Sequence, residues 1–392
     1  MKDRAADGQI SLNNKLVRLS PAAALACLQE IIAGSPLPLG DSLHDRRLLR
    51  ILSVKLLPWI VDRDPSLGAT VLLITMSLLD TEADPFARRQ ALANLGGVEL
   101  RASAGVTRDY EGGPEIVREF FYLEPNAAPG PIWLAALKRF ASEDANVLAR
   151  LSAIAGDRKD RSQLIAVEAL LNLGSDASTQ TVFRLFREDF LVRSSCVEGL
   201  LRLNKDQALQ AFVDVLPFDR SGMTVSQMAR QLSRSPAAPA GAGDALLRSF
   251  RYFEAGRNFE GESMTRGALG HAAAVIAGRG DRAAQECLAL ALNEASPRVV
   301  SETTEAIIKS PSPIHILLLQ KAVNDNKNAF AREILGYALR KSDPTSQRPN
   351  LFWDLEKLEQ DLTGTTVESE RVRLKQLVQE KRDQVSSLRE SP

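Results

Sequence analysis

The stretch Val167 to Asp176 reads VEALLNLGSD, and Val197 to Asp206 reads VEGLLRLNKD. Val, Glu, three leucines and the closing Asp return at a fixed offset of thirty residues. Val167, Leu170, Leu171 and Leu173 share one side of a helix at the i, i+3, i+4 spacing, while Glu168 and Asn172 point outward. Such a helix needs a partner to bury its apolar face. Each copy supplies a second helical pattern directly afterwards, TQTVFRLFRED in one case and DQALQAFVDVL in the other. Gly174 and Asn204 stand where the first helices end, and both residue types tolerate a left-handed backbone there. A helix-turn-helix unit repeating about every thirty residues predicts an all-α fold, a right-handed α-solenoid of helical hairpins.

The period recurs away from the founding pair. RVVSETTEAIIKS from Arg298 is followed by PIHILLLQKAVND, and a shift of thirty reaches Asn328, where NAFAREILGYALRK opens another helix. The opposite shift lands in LGHAAAVIAGRGD, followed by RAAQECLALALNE, and a weaker copy, DPFARRQALANLGG, begins at Asp84. Ser20-Pro21, Asp64-Pro65, Asp84-Pro85, Ser296-Pro297 and Ser312-Pro313 each place a side-chain acceptor before a proline that needs no N–H partner, and each predicts a helix start. A short hairpin is conceivable only within the Val98 to Glu124 segment.

DPFARRQALANLGG, FLVRSSCVEGLLRLN and AFAREILGYALRK resemble the first helices of HEAT repeats of the short bacterial type, as in phycobiliprotein-lyase-like proteins. In that family a turn residue and Val-Arg precede an Ala/Leu-rich helix ending in Leu-Gly. Val192-Arg193 matches fully, Ala87-Arg88 and Ala331-Arg332 match in part, and Gln163-Leu164 departs. The resemblance runs over Asp84 to Leu95 and, with an interruption, Pro131 to Lys341. It implies a fold that serves many tasks and singles out no activity. The chain then divides into an N-terminal HEAT-like segment over 1–97, an irregular insertion over 98–131, repeats over 132–216, a flexible Pro/Ala/Gly/Ser loop over 217–244, and further repeats over 245–345. Capping and charged helices follow over 350–392, the first carrying Leu351, Phe352, Leu355, Leu358 and Leu362 on one face.

Searching for chemistry returns negatives. There is no GxxxxGK[ST], no GxGxxG after a strand, and no GxSxG, HExxH or CxxC. His44, His271 and His315 each stand alone, so no metal or cofactor is expected, and His315 within PIHILLL reads as a core histidine. Cys27, Cys196 and Cys287 lie far apart in apolar helical contexts and read as small buried hydrophobes of a reducing compartment. Lys plus Arg balance Asp plus Glu at 49 each, which leaves no global field for nucleic acid or an anionic membrane. The longest apolar run, about Val71 to Leu79, is too short to span a bilayer, and a cytoplasmic, bacterial-type protein is expected.

One patch rises above this background. Arg230, Arg234, Arg248, Arg251, Tyr252, Phe253 and Arg257 interleave arginine with aromatics, a composition suited to protein hot spots or to stacking on bases. The plainer reading makes Phe250 and Phe253 core residues of a helix whose arginines are solvated. The function expected is a non-catalytic scaffold or adaptor holding a protein partner. The rivals are a nucleic-acid binder of the DNA-repair type and a chromophore-lyase-like protein. HEAT-like DNA glycosylases are basic clamps with a catalytic Asp, whereas Trp59, Trp133 and Trp353 here have Arg63, Leu137 and Lys357 at i+4.

Overall fold

The computed structural model describes residues 16, 18–34, 43–81, 85–96, 145–160, 162–255, 260–343, 345–346 and 350–390. The chain splits into two compact units, Met1–Leu203 and Asn204–Pro392. The described residues are helical throughout, with turns between and no strand. The 98–131 insertion, its conceivable hairpin and the Asp84 cap lie outside the described residues.

In the first unit α1 (Pro21–Ile32) packs on α2 (Leu43–Arg63). Helices α2, α4 (Pro85–Gly96), α6 (Gln163–Leu173) and α8 (Phe190–Leu203) pack on one another in that order. A second layer, α3 (Gly68–Thr81), α5 (Ala145–Gly156) and α7 (Asp176–Glu188), lies against them. The order explains the burial. Helix α6 has neighbours on several sides, so Ile165, Ala166, Val167, Ala169, Leu170, Leu171 and Leu173 are all buried, while Glu168 remains exposed. The difference between VEALL and VEGLL has a packing cause, because a Cβ on Gly199 would lie 2.6 Å from Leu171 Cδ1. Alanine in that copy would force the buried Leu171 side chain to shift.

The second unit repeats the plan. Helices α10 (Gly222–Arg234), α12 (Glu260–Ala277), α14 (Pro297–Lys309) and α16 (Ala329–Ser342) form one layer, each on the next. The other layer is α9 (Lys205–Val215), α11 (Ala242–Ala255), α13 (Arg282–Leu292) and α15 (Pro313–Asp325). Close approach within a layer is bought with small residues: a Cβ on Gly270 of α12 would sit 2.2 Å from Thr303 Oγ1 of α14. Helix α17 (Leu351–Gly364) then packs on α16, and α18 (Glu368–Glu390) on both.

Helix starts follow the sequence punctuation with two amendments. Ser20, Ser175, Asn204, Ser221, Asp281, Asn328 and Asn350 each accept a backbone N–H of the first turn through the side chain. Ser296 and Ser312 precede their prolines as expected but form no such bond. Gly174 closes α6 in the left-handed region at φ 62°. Asn204, expected to do the same, is extended at φ −154° and caps α9, because its side chain is worth more as an acceptor for Gln207 N at 3.1 Å.

A larger correction concerns 217–244, read from composition as a flexible loop. Helix α10 occupies much of it, buried through Val225, Met228, Ala229 and Leu232. Those positions are spaced i, i+3, i+4, i+7, and this stripe outweighs the loop-forming residues, which flank the helix at 217–221 and in the link after Arg234.

The Val-Arg signature also acquires a physical role. Arg193 Nε and Nη2 donate to Phe186 O and Arg187 O, both at 2.8 Å, closing the C-terminus of α7. Arg88 Nε donates to Leu79 O at 3.3 Å, Arg266 Nη1 to Phe253 O at 3.0 Å, and Arg332 Nη1 to Asn326 O and Lys327 O at 2.9 and 3.0 Å. Arg193, Arg88 and Arg266 satisfy carbonyls that the preceding helix leaves open, and Arg332 ties down the link just after α15. Aspartates complement it: Asp160 pairs with Arg88 at 2.9 Å, and Asp189 with Arg158 at 3.1 Å.

Candidate functional site

The structure divides the sequence-predicted Arg/aromatic patch. Arg230 and Arg234 are exposed on α10, about two and three turns beyond its start. Arg248, Arg251 and Tyr252 are exposed on α11, in the other layer, and Arg251 is ion-paired with Glu286. Phe253 is a buried core residue, as the plainer reading had it, and Arg257 lies outside the described residues.

What the fold does assemble is a corner around Tyr252. The guanidinium of Arg220 stacks 3.6 Å from the Tyr252 ring centroid, and that ring meets Phe253 edge-on at 5.1 Å. The start of α10 is seated beside them, since a Cβ on Gly222 would lie 4.0 Å from Phe253 Cε1 and 2.5 Å from Thr265 Oγ1 of α12. Met223 follows Gly222 and Met264 precedes Thr265 in the chain, and both methionines are exposed. Phe218 is 68% exposed, Met223 67%, Tyr252 44% and Met264 42%. These are large apolar side chains left open to water, and one of them, Tyr252, carries the stacked arginine. Phe218 and Met223 were missed in sequence because 217–244 read as a loop and its apolar residues had no predicted helix to face away from, and Met264 lies beyond the stretch that drew attention.

A second feature lies between α14, α16 and α17. A pocket of about 650 Å³ is lined by Ile308, Phe330, Ile334, Tyr337, Phe352 and Leu355, with Arg298, Glu302, Glu305, Glu356 and Glu359 around them. The Phe352 ring packs edge-on against Phe330 at 5.5 Å and Tyr337 at 6.4 Å. The Tyr337 hydroxyl donates to Glu356 Oε2 at 3.0 Å, and Lys341 Nζ lies 2.7 Å from Glu356 Oε1. The ammonium of Lys341 holds the Glu356 carboxyl below its ordinary range, and the carboxylate in turn raises Lys341. Burial, aided by Glu356, raises the Tyr337 phenol. Lys309 lowers the Glu305 carboxyl in the same way.

His315 and His271 serve packing. His315 is buried and donates from Nε2 to Ala274 O at 2.9 Å, and His271 Nδ1 lies 3.1 Å from Glu302 O. Among the described residues no group of three or more His, Cys, Asp or Glu is placed to hold a metal ion, and no helix is long and apolar enough to cross a membrane.

No family model and no curated protein matches the chain. A solved crystal structure of an engineered protein from the Northeast Structural Genomics Consortium is similar to it at 14% identity, over 90% of this chain and 98% of that one, with a TM-score of 0.30.

Proposed function

We propose that the chain is an α-solenoid of HEAT-like hairpins and a non-catalytic adaptor that holds a protein partner at the corner of its second unit. Three features support the solenoid reading. The hairpins recur about every thirty residues, like helices pack on like in two layers, and Arg88, Arg193 and Arg332, at the family's Val-Arg position, bond back to the end of the preceding helix or the link after it. Stacked hairpins offer a large rigid surface that needs no special catalytic residues.

The observation that carries the binding reading is the exposed Arg220–Tyr252 stack, together with the exposure of Phe218, Met223 and Met264 in the same unit. Aromatic residues, Met and Arg are the types enriched where partners bury surface. The nucleic-acid reading is weaker, because Arg251 is neutralised by Glu286 and the chain has no net positive charge.

The test is affinity capture with the purified full chain and with a Met223→Glu/Met264→Glu variant, whose substituted positions are exposed. The variant is expected to fold as the wild type does by circular dichroism and to lose the captured protein. Retention of every partner refutes the corner as the contact surface. Tight binding of mixed-sequence DNA that weakens steeply between 50 and 200 mM salt would replace the protein reading with the nucleic-acid one.

A further inference from the structure

We infer that the pocket between α14, α16 and α17 receives an arginine or lysine side chain from a basic segment of a protein partner. This goes beyond the corner surface and involves none of its residues. The pocket, at about 650 Å³, is larger than one side chain and lies within the range of ligand sites, leaving room for the residues that flank the inserted one. Its walls have two chemistries. Phe330, Tyr337 and Phe352 present ring surfaces, and Ile308, Ile334 and Leu355 offer apolar area for the methylene stem of a long cationic side chain. Around them stand Glu302, Glu305, Glu356 and Glu359 against the single guanidinium of Arg298. Carboxylates thus outnumber cations in the lining itself, and the cations that balance Glu305, Glu356 and Glu359 reach them from outside it.

One wall already demonstrates the chemistry. Lys341 of this chain sits 2.7 Å from Glu356, with its ammonium 5.4 Å from the Tyr337 ring centroid and 5.1 Å from that of Trp353. The other glutamates have partners of a different kind. Glu302 pairs with Arg298 at 3.3 Å along α14, Glu305 pairs with Lys309, and Glu359 pairs with Arg382 at 2.7 Å. The cationic members of these three pairs are exposed, and exposed pairs are held weakly enough for an incoming guanidinium to exchange with them. A side chain lying on the rings gains the desolvation that Lys309 and Arg382 lack.

The experiment is fluorescence anisotropy of the full chain with two fluorescein-labelled hexapeptide amides, (Leu-Arg)3 and (Leu-Glu)3. The basic peptide is expected to bind at least tenfold more tightly. The Glu302→Gln/Glu305→Gln variant, which preserves side-chain shape, should weaken it at least tenfold with an unchanged melting temperature, and Met223→Glu/Met264→Glu should leave it as it was. Equal affinity for the two peptides overturns the inference, as does unchanged affinity in the glutamine variant. Loss of binding in the methionine variant would move the peptide to the corner and also overturn it. Complete displacement of the basic peptide by an equimolar amount of spermidine would show a response to charge alone, and this too refutes a side-chain pocket.

Discussion

Replacing Glu294 with glutamine leaves Arg266 charged in the interior of the second unit without its counter-ion. The two side chains are 5% and 8% exposed, and Arg266 Nε stands 2.9 Å from Glu294 Oε1. The contact lies off the line of a hydrogen bond, so charge holds it. Removing one partner of a buried pair costs about 3–5 kcal/mol, because the remaining ion is desolvated without compensation. The lower end, about 3 kcal/mol, applies here, since the glutamine amide oxygen still faces the guanidinium and Arg266 keeps its bond to Phe253 O. With a urea slope of about 2–3 kcal/mol/M, the midpoint should fall by roughly 1–1.5 M. The Arg266→Met/Glu294→Leu double variant removes both ions and their desolvation, losing mainly the closure of the Phe253 carbonyl. It should lie within about 1–2 kcal/mol of the wild type and be far better than the sum of its parts. Urea titration followed by circular dichroism measures all of this. A loss under about 1 kcal/mol for Glu294→Gln would mean that water reaches the pair, and a double variant no better than the single would mean that shape, not charge, sets the cost.

Other perturbations give equally direct readings. Gly243→Ala puts a Cβ 2.0 Å from Asp281 Oδ1 and 2.7 Å from Ala284 N, so α11 and α13 must separate, and a loss of about 1–3 kcal/mol is expected by urea titration. In a thiol titration with Ellman's reagent at pH 8, Cys27, which is partly exposed, should react in the folded protein. Cys196, which burial pushes up to about 12, and the fully buried Cys287 should react only on unfolding. Burial raises the Asp160 carboxyl, but hydrogen bonds from Arg88 and Ser162 outweigh it and leave the group below the usual 3.8. Its contribution is therefore present above the unfolded value and lost as pH falls through the folded one, so Asp160→Asn should flatten the drop in urea midpoint below about pH 5.

The hairpin period was legible because a helix that must bury one face between like neighbours repeats its apolar residues. VEALLNLGSD and VEGLLRLNKD fall on α6 and α8, which pack together. The same logic hid α10, whose stripe of Val225, Met228, Ala229 and Leu232 is followed directly by a Pro/Ala/Gly run. Composition averaged over the segment conceals a helix beside a Pro/Ala/Gly link. The pocket was illegible for a different reason. Glu302, Tyr337 and Glu356 belong to three helices, and each looks locally like an ordinary partly solvated position. The available hint was LFWDLEKLEQDL, whose apolar side chains are only half-buried although their spacing predicts a fully covered stripe. The Arg/aromatic patch was partly legible, since Tyr252 lies at the corner that the fold assembles, while Phe253 serves the core beneath it.

The arginines that bond back to the turn before their own helix carry a kinetic consequence. Arg193 reaches back six or seven residues and Arg332 five or six, so these long-lever tethers span almost no chain. Little loop entropy is lost in forming them, and a nascent hairpin can lock its own turn before the next segment leaves the ribosome. Early protection of the amides around these turns, ahead of those between successive hairpins, is what pulsed hydrogen exchange during refolding should record.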